Sequence, residues 1–136
     1  MTKFKLDIAT PDGEVFSGDC ESLTVPTETG EREFLAGHID FVAPLGTGKA
    51  RIKVDGIDRY ASVSRGIIAV RSGQVSLAAV TFEFADDIDV ERAKRAKEMA
   101  EEKLRSLNDD KGISLAKAKL ARSLSRINVG ERYKSK

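Results

Sequence analysis

The sequence predicts an all-β N-terminal sandwich of about ten short antiparallel strands, followed by a C-terminal two-helix antiparallel hairpin. Residues 1–85 contain short segments of alternating apolar and polar residues. Gly and Pro separate these segments at intervals of about 8–12 residues, which is typical of antiparallel β-structure. Residues 86–136 contain no Pro, and their apolar residues recur every three or four positions, as in amphipathic helices. We therefore expect a strand domain at 1–85 and a helical domain at 86–136.

Each strand is predicted from alternating apolar residues, and each turn from Gly, Pro or Asp near its centre. The first strand, for example, places Phe4 and Leu6 on one face of a sheet. Asp55-Gly56, between two alternating segments, is the clearest hairpin signal in the chain. Residues 27–33 are polar, so an exposed loop is expected there. The predicted strands lie at residues 3–8, 15–16, 23–25, 34–35, 41–43, 51–54, 57–60, 67–70 and 75–80.

The two helices are predicted from apolar residues spaced by three and four positions. Asp89 is expected to cap the first helix, because its carboxylate can accept hydrogen bonds from free N–H groups of the first turn. Residues 108–112 are rich in Asn, Asp and Gly and are expected to join the helices as an antiparallel pair. Many of the apolar positions are Ala, and helical pairs of this size are marginal in water. The hairpin is therefore expected to depend on the sandwich, on a partner, or on each in turn.

Composition limits the classes of protein. A chain of 136 residues with 40% hydrophobic and 33% charged residues fits one globular domain, or a small domain with an appendage. Cys20 is the only cysteine and His38 the only histidine, so an internal disulfide is excluded and no metal site is expected. No signal-peptide segment opens the chain, and no apolar run approaches the ~20 residues that span a bilayer. We expect a cytosolic chain, or one peripheral to the inner face of a membrane.

Charge is distributed unevenly, although the formal net charge is only +1. Residues 1–85 contain 9 Lys/Arg and 12 Asp/Glu, whereas residues 86–136 contain 14 and 10. From Lys111 onward there are 8 basic residues against Glu131 alone. Such an end attracts an acidic partner. Nucleic acid is not expected to be that partner, because the only aromatic residue of the basic segment is Tyr133 and no recognition motif accompanies it.

Two groups of charged residues are candidates for a site, and each has a simpler interpretation. Asp89 and Arg92 can be a helix cap followed by an ordinary surface charge. The basic residues of the second helix can form one solvated face, but residues 113–129 contain no acid to compensate them. An acidic protein surface or a polyphosphate is the alternative. These basic residues are Lys117, Lys119, Arg122 and Arg126.

Catalytic residues are not expected. His38 has no Ser or Cys nucleophile beside it in the sequence, so a loop or interface role is favoured. Residues 45–50 are similar to a phosphate-binding loop, but Ala43 and Ala50 stand where the Walker pattern requires Gly and Ser or Thr. An enzyme is therefore the least expected class.

Four short motifs occur in a fixed order along the chain. They are Thr-Pro-Asp-Gly-Glu-Val-Phe at 10–16, Gly-Glu at 30–31 with Leu-Ala-Gly-His at 35–38, Ser-Arg-Gly-Ile-Ile-Ala-Val at 64–70, and Ile-Asp-Val-Glu-Arg-Ala at 88–93. Together, over the full length of the chain, they resemble the epsilon subunit of bacterial F-type ATP synthases. The sequence departs from the family pattern at Ala36, Arg65 and Met99.

This resemblance implies a non-catalytic subunit of the central stalk, or rotor. Its sandwich would bind the gamma subunit and the c-ring, with Glu31 and His38 facing them. Its hairpin would be mobile, and its basic residues would meet the beta and alpha subunits and inhibit ATP hydrolysis when the helices extend. The chain would lie at the cytoplasmic face of the bacterial cell membrane and associate with the membrane only through the complex.

The resemblance also implies a regulatory ATP site. The residues that match it are Glu83, Asp89, Arg92, Arg122 and Arg126. The two acids would contact the base and ribose, and the arginines the phosphates. Met99 stands where ATP-binding members have another Arg. A lost charge-assisted contact is worth roughly 1.5–3 kcal/mol, or about 10- to 100-fold in affinity. No cofactor is required, and ATP is expected to be a weak regulatory ligand.

Two other classes stay open on the residues alone. One is a stand-alone sensor that binds adenine nucleotides. The other is a β-sandwich adaptor that binds acidic proteins through its basic helix.

Overall fold

The computed structural model describes residues 2–134, so Met1 and the last two residues of the predicted helical domain lie outside the described residues. Within that range, eight strands precede a 3₁₀ turn and two α-helices. The strands are β1 Phe4–Thr10, β2 Gly13–Cys20, β3 Ser22–Thr27, β4 Gly30–Leu35, β5 Phe41–Leu45, β6 Gly48–Val54, β7 Ile57–Arg71 and β8 Gln74–Phe84. The 3₁₀ turn is Ala85–Asp87, and the helices are α1 Val90–Ser106 and α2 Asp110–Tyr133. The predicted fold class is confirmed.

The number and pairing of the strands differ from the prediction. The segments predicted at 57–60 and 67–70 belong to one strand of 15 residues, β7, whose first part pairs with β6 and whose residues 61–71 pair with β8. Ser62 and Ser64 between them are buried polar residues, so the apolar alternation that marks a strand is interrupted. Eight strands therefore form where about ten were predicted. The expectation of antiparallel pairing is also wrong for one pair, because β1 runs parallel to β8.

The exposed loop predicted at residues 27–33 is wrong as well. β3 and β4 form a tight antiparallel hairpin in which Thr27 pairs with Gly30. Gly30 adopts a φ of +121°, a conformation that residues with a side chain rarely reach. Glu28 and Thr29 form the turn of this hairpin, and Glu31, Arg32 and Glu33 are exposed residues of β4.

The sandwich has one continuous core. Its sheet runs in the order β2-β1-β8-β7-β5-β3-β4, and β6 pairs with both β3 and β7. The inward-facing side chains of these strands pack together, and Phe4 and Leu6 are buried as the alternation in β1 predicts. At Gly66 in β7, a Cβ atom would lie 2.0 Å from the backbone oxygen of Ala78, so only Gly permits this close pairing with β8.

Both helices begin at an aspartate cap. Asp89 accepts a hydrogen bond from the Arg92 N–H at 3.0 Å, which confirms the predicted cap of α1. Asp109 accepts one from the Gly112 N–H at 2.9 Å. The break between the helices is therefore shorter than the predicted 108–112, because α2 has already begun at Asp110. The buried residues of the helices are mostly small, namely Ala93, Ala100, Ala116, Ser123, Val129 and Gly130.

The hairpin rests on the sandwich mainly through α2. A small second cluster of buried apolar residues, Ala85, Ile88 and Val129, lies at this contact. Ser125 of α2 is hydrogen-bonded to Ser62 of β7 at 2.8 Å. This contact is the only part of the described fold where helix and sandwich share a buried apolar cluster.

Candidate functional site

A cleft of about 270 Å³, here called the β8–α1 cleft, opens where the end of β8 meets the start of α1 and the middle of α2. It is lined by Glu83, Asp87, Ile88, Asp89, Arg92, Ala93, Ala96 and Arg126. Four of the five residues predicted for a nucleotide site therefore surround one cleft. They come from three separate elements, which only the folded hairpin brings together.

A second cleft of about 190 Å³, here called the interhelical cleft, lies between α1 and α2. It is lined by Ala96, Met99, Ala100, Lys103, Lys119, Arg122, Ser123 and Arg126. The fifth predicted residue, Arg122, lies here rather than in the β8–α1 cleft. Because both clefts are lined by Ala96 and Arg126, they adjoin and form one groove.

The two clefts differ in charge. Three acidic residues line the β8–α1 cleft, whereas no acidic residue is among those lining the interhelical cleft. Where they meet, Arg126 Nε lies 2.5 Å from Glu83 Oε1. The Glu83 side chain is 35% exposed and that of Arg126 is 28% exposed. The two buried atoms are close enough for an ion pair, but their orientation does not give a hydrogen bond. An anion entering the groove would therefore meet a guanidinium already held by an acid.

Sequence reasoning missed part of this site. Lys103 was not predicted as a site residue, and Lys119 was predicted only for contacts with a protein partner. Both line the interhelical cleft together with Met99. The available signal was helical spacing, because Lys103 is four residues after Met99 and Lys119 is three before Arg122.

The predicted partner-binding residues lie on different surfaces. Glu31 is exposed near the start of β4, whereas His38 lies in the loop after the end of β4. The His38 ring is 4.8 Å from the ring of Phe34, and its Nδ1 donates to the Ile39 carbonyl oxygen at 2.8 Å. Lys117 is exposed on α2 and does not line either cleft.

An exposed apolar face covers part of the sandwich. Val42 is 65% exposed, Ile67 48% and Val80 52%. They lie on the three adjacent strands β5, β7 and β8, where Pro44 pairs with Ile67 and Ile67 with Ala78. Contiguous apolar surface of this kind is typical of a protein contact.

Two kinds of feature are absent from residues 2–134, a membrane-spanning helix and a metal-binding cluster. No helix there is both long and apolar enough to cross a bilayer. No group of three or more His, Cys, Asp or Glu residues in this part of the chain is arranged to hold a metal ion.

The fold defines a class of protein in which a strand sandwich holds a pair of helices against its surface. Family models match both parts. The β-sandwich domain of the ATP synthase delta/epsilon chain matches residues 3–85, and the long α-helix domain of the same chain matches residues 86–131.

Relatives of similar length agree. The ATP synthase epsilon chain of Bacillus velezensis is 43% identical over 129 residues, which cover 95% of this chain and 98% of that one. The epsilon chain of Staphylococcus aureus is 40% identical over 132 residues, covering 96% and 98%. The chain therefore belongs to the epsilon-chain family of ATP synthase subunits.

Solved structures share the fold at lower identity. A chain in the cryo-EM structure of the Euglena gracilis mitochondrial ATP synthase, OSCP/F1/c-ring in rotational state 1, matches with a TM-score of 0.81 and 22% identity, covering 97% of this chain and 83% of that one. A chain in the central stalk/c-ring structure of the Tetrahymena thermophila mitochondrial ATP synthase matches with a TM-score of 0.67 and 15% identity, covering 95% and 97%.

Proposed function

We propose that this chain is a non-catalytic rotor subunit of an F-type ATP synthase whose helical hairpin inhibits ATP hydrolysis when it leaves the sandwich. The observation that supports a mobile hairpin is the contrast between two cores. The sandwich has a continuous core of large aliphatic and aromatic residues. Within residues 2–134, the contact between hairpin and sandwich has a buried cluster of three apolar residues, with Tyr60, Val90 and Tyr133 partly buried beside it.

The small free energy of the contact between hairpin and sandwich is compatible with two positions of the hairpin. Full burial of a Val, Leu or Ile side chain contributes about 1.5–3 kcal/mol, so the buried cluster at Val129 contributes only a few kcal/mol. Ordering the side chains at this contact costs conformational entropy, which offsets part of that gain. A hairpin balanced in this way can occupy a second position that lies within a few kcal/mol of the first.

The surfaces match the proposed partners. The apolar face at Val42, Ile67 and Val80 would bind the gamma subunit. The loop at His38, beside the highly exposed Ile39, would meet the c-ring, and Glu31 would face the same rotor parts. The extended hairpin would place its basic residues against the beta and alpha subunits. These contacts would hold the chain at the cytoplasmic face of the membrane without a span of its own.

We also propose that the groove binds ATP as a regulatory ligand of the folded hairpin. The residues fit such a ligand, since acids that accept from a base or ribose line one end and cations that bind phosphates line the other. Glu83 and Asp89 would hold the base and ribose, and Arg92, Arg122 and Arg126 the phosphates. A ligand at ~1,000 times its Kd contributes about 4 kcal/mol, which is enough to favour the folded pose.

Deletion of residues 86–136 tests the inhibitory function. ATP hydrolysis by a reconstituted catalytic head would be measured with the full-length chain and with the truncated chain, each at saturation. We expect the full-length chain to suppress hydrolysis and the truncated chain to bind without suppressing it. A Lys117→Gln variant should suppress hydrolysis less than wild type, because Lys117 is an exposed basic residue of α2 that lines neither cleft. Equal rates with full-length and truncated chains would contradict the proposal.

A further inference from the structure

The interhelical cleft has a charge pattern that the predicted site does not explain. Its ionisable lining residues are all basic: Lys103 from α1, and Lys119, Arg122 and Arg126 from α2. The other lining residues are Ala, Ser and Met. Like charges that converge on one cleft repel each other unless an anion lies between them. Of these four residues, the resemblance assigns only Arg122 and Arg126 to phosphates.

We propose that Lys103 and Lys119 bind the outer phosphates of a nucleoside triphosphate, and that Lys103 supplies the positive charge that Met99 does not. The proposal rests on the proposed nucleotide site and adds two residues to it. The ligand class is a polyphosphate anion attached to a nucleoside.

Helix geometry places the Lys103 charge near the position of the missing cation. Lys103 is four residues beyond Met99, so the two share one face of α1, one turn apart. Helical side chains lean towards the N-terminus of their helix, so the Lys103 side chain extends back over the turn that contains Met99. An ammonium at the end of a flexible chain binds phosphate as a point charge and needs no fixed orientation.

Lys119 approaches the same cleft from the other helix. It lies three residues before Arg122 on α2, so the two cations share a face. Ser123, a buried residue that also lines this cleft, donates its hydroxyl to the Lys119 carbonyl oxygen at 2.9 Å. This bond satisfies the serine within its own helix and leaves the cleft lined by cations.

The order of the two clefts fixes the direction of the ligand. Arg126 lies at their junction and is paired with Glu83. A nucleoside in the acid-lined β8–α1 cleft therefore directs its phosphates past Arg126 into the interhelical cleft. The first phosphate would meet Arg126, and the outer phosphates would meet the lysines. Phosphate number, rather than the base alone, should then determine affinity.

Titration calorimetry on the full-length chain tests this with ATP, AMP and inorganic tripolyphosphate. We expect ATP to bind more tightly than AMP, and tripolyphosphate to bind without the nucleoside. Lys103→Met and Lys119→Met should each lower the affinity for ATP and for tripolyphosphate about 10-fold, since each removes one charge-assisted contact to phosphate. The affinity for AMP should not change. Lys111→Met is the matched control, because Lys111 is an exposed lysine of α2 that does not line either cleft. It should change no affinity.

A double-mutant cycle tests the replacement of the missing cation. Met99→Arg should tighten ATP binding, and Lys103→Met should weaken it less in the Met99→Arg background than in wild type, because the new guanidinium takes over the same phosphate. Additive effects would show that Lys103 does not act in place of a cation at position 99.

The remaining outcomes separate the two proposals. If wild type binds ATP but both lysine variants behave like Lys111→Met, or weaken AMP as much as ATP, the role of the lysines is wrong and the nucleotide site stands. If wild type binds neither ATP nor tripolyphosphate at millimolar concentration, the nucleotide site itself is wrong, together with this inference.

Discussion

Tyr133 of α2 stacks on Tyr60 of β7, with ring centroids 4.0 Å apart and ring planes 18° from parallel. Lys49 Nζ lies 3.2 Å from the Tyr133 hydroxyl and 5.1 Å from the centre of the Tyr133 ring. This contact joins the last turn of the hairpin to the sandwich, far in sequence from the connection at Asp89. The start of α1 and the end of α2 are therefore both attached to the sandwich, at the same end of the hairpin.

Tyr133→Ala should release the end of the hairpin. An aromatic stack contributes about 0.5–1.5 kcal/mol beyond its buried area, so we expect the folded pose to lose about 1–2 kcal/mol. Amide hydrogen exchange in residues 120–133 should then be about 5- to 30-fold faster. Tyr133→Phe is the control, because it retains the stack and removes only the hydroxyl next to Lys49. Equal protection in Tyr133→Ala and wild type would show that the stack does not hold the hairpin.

Gly130→Ala should destabilise the fold even though Ala is the better helix former. The added Cβ would lie 2.6 Å from Val90 Cγ2 and 3.0 Å from Ile88 Cγ2. Overpacking costs about 1–3 kcal/mol, whereas the gain in helix propensity is about 1 kcal/mol. Asn128→Ala, at an exposed position of the same helix, has the propensity gain without the clash and should stabilise. Urea unfolding measures the stability of both variants. A midpoint for Gly130→Ala above that of wild type would contradict the close packing.

Arg65→Gly should stabilise the sandwich. Arg65 has a φ of +40°, in the left-handed region that costs a residue with a side chain about 1–2 kcal/mol. Gly removes this strain but loses more entropy on folding, so a net gain of about 0.5–1 kcal/mol is expected. Arg65→Ala removes the charge and keeps the strain, and should give no such gain. Equal urea midpoints for Arg65→Gly and Arg65→Ala would show that backbone strain at Arg65 does not lower the stability.

The buried thiol of Cys20 should make the free energy of unfolding fall as the pH rises into the alkaline range. It is fully buried, and burial, followed by the nearby charges of Asp19 and Glu21, raises the pKa of its thiol from 9.0 to about 12. Between these values the unfolded thiol loses its proton while the folded thiol keeps it. The contribution is therefore complete below pH 9.0 and is lost as the pH rises towards about 12.

The difference in unfolding free energy between wild type and Cys20→Ala measures this contribution. It should shrink as the pH rises above 9.0, since only wild type contains the thiol. The subtraction removes the titration of the other groups. A difference that stays constant up to pH 11 would contradict the raised pKa.

Local signals predicted the parts of the fold that depend on neighbours in sequence. The Asp55-Gly56 turn, the alternation in β1 and the Asp89 cap each follow from a few adjacent residues, and the structure contains all three. The length of β7 could not be predicted in this way. Ser62 and Ser64 are tolerated in its buried part because they bond to Ser125 and Thr81, which are distant in sequence.

The candidate site was predictable only in part for the same reason. Resemblance to a family supplied the residues of the β8–α1 cleft, and the structure brings Glu83, Asp89, Arg92 and Arg126 together. The position of Lys103 depends on which faces of α1 and α2 meet, and small residues allow that contact without a strong apolar stripe. The parallel pairing of β1 with β8 likewise leaves no local signal.

Because Glu83 of the sandwich is paired with Arg126 of the hairpin, it competes with any external acid for that guanidinium. One guanidinium cannot be neutralised in two places, so any external carboxylate gains Arg126 only by the amount that Glu83 gives up. In the proposed extended pose, Arg126 would have to give up Glu83 before it could meet an acidic partner.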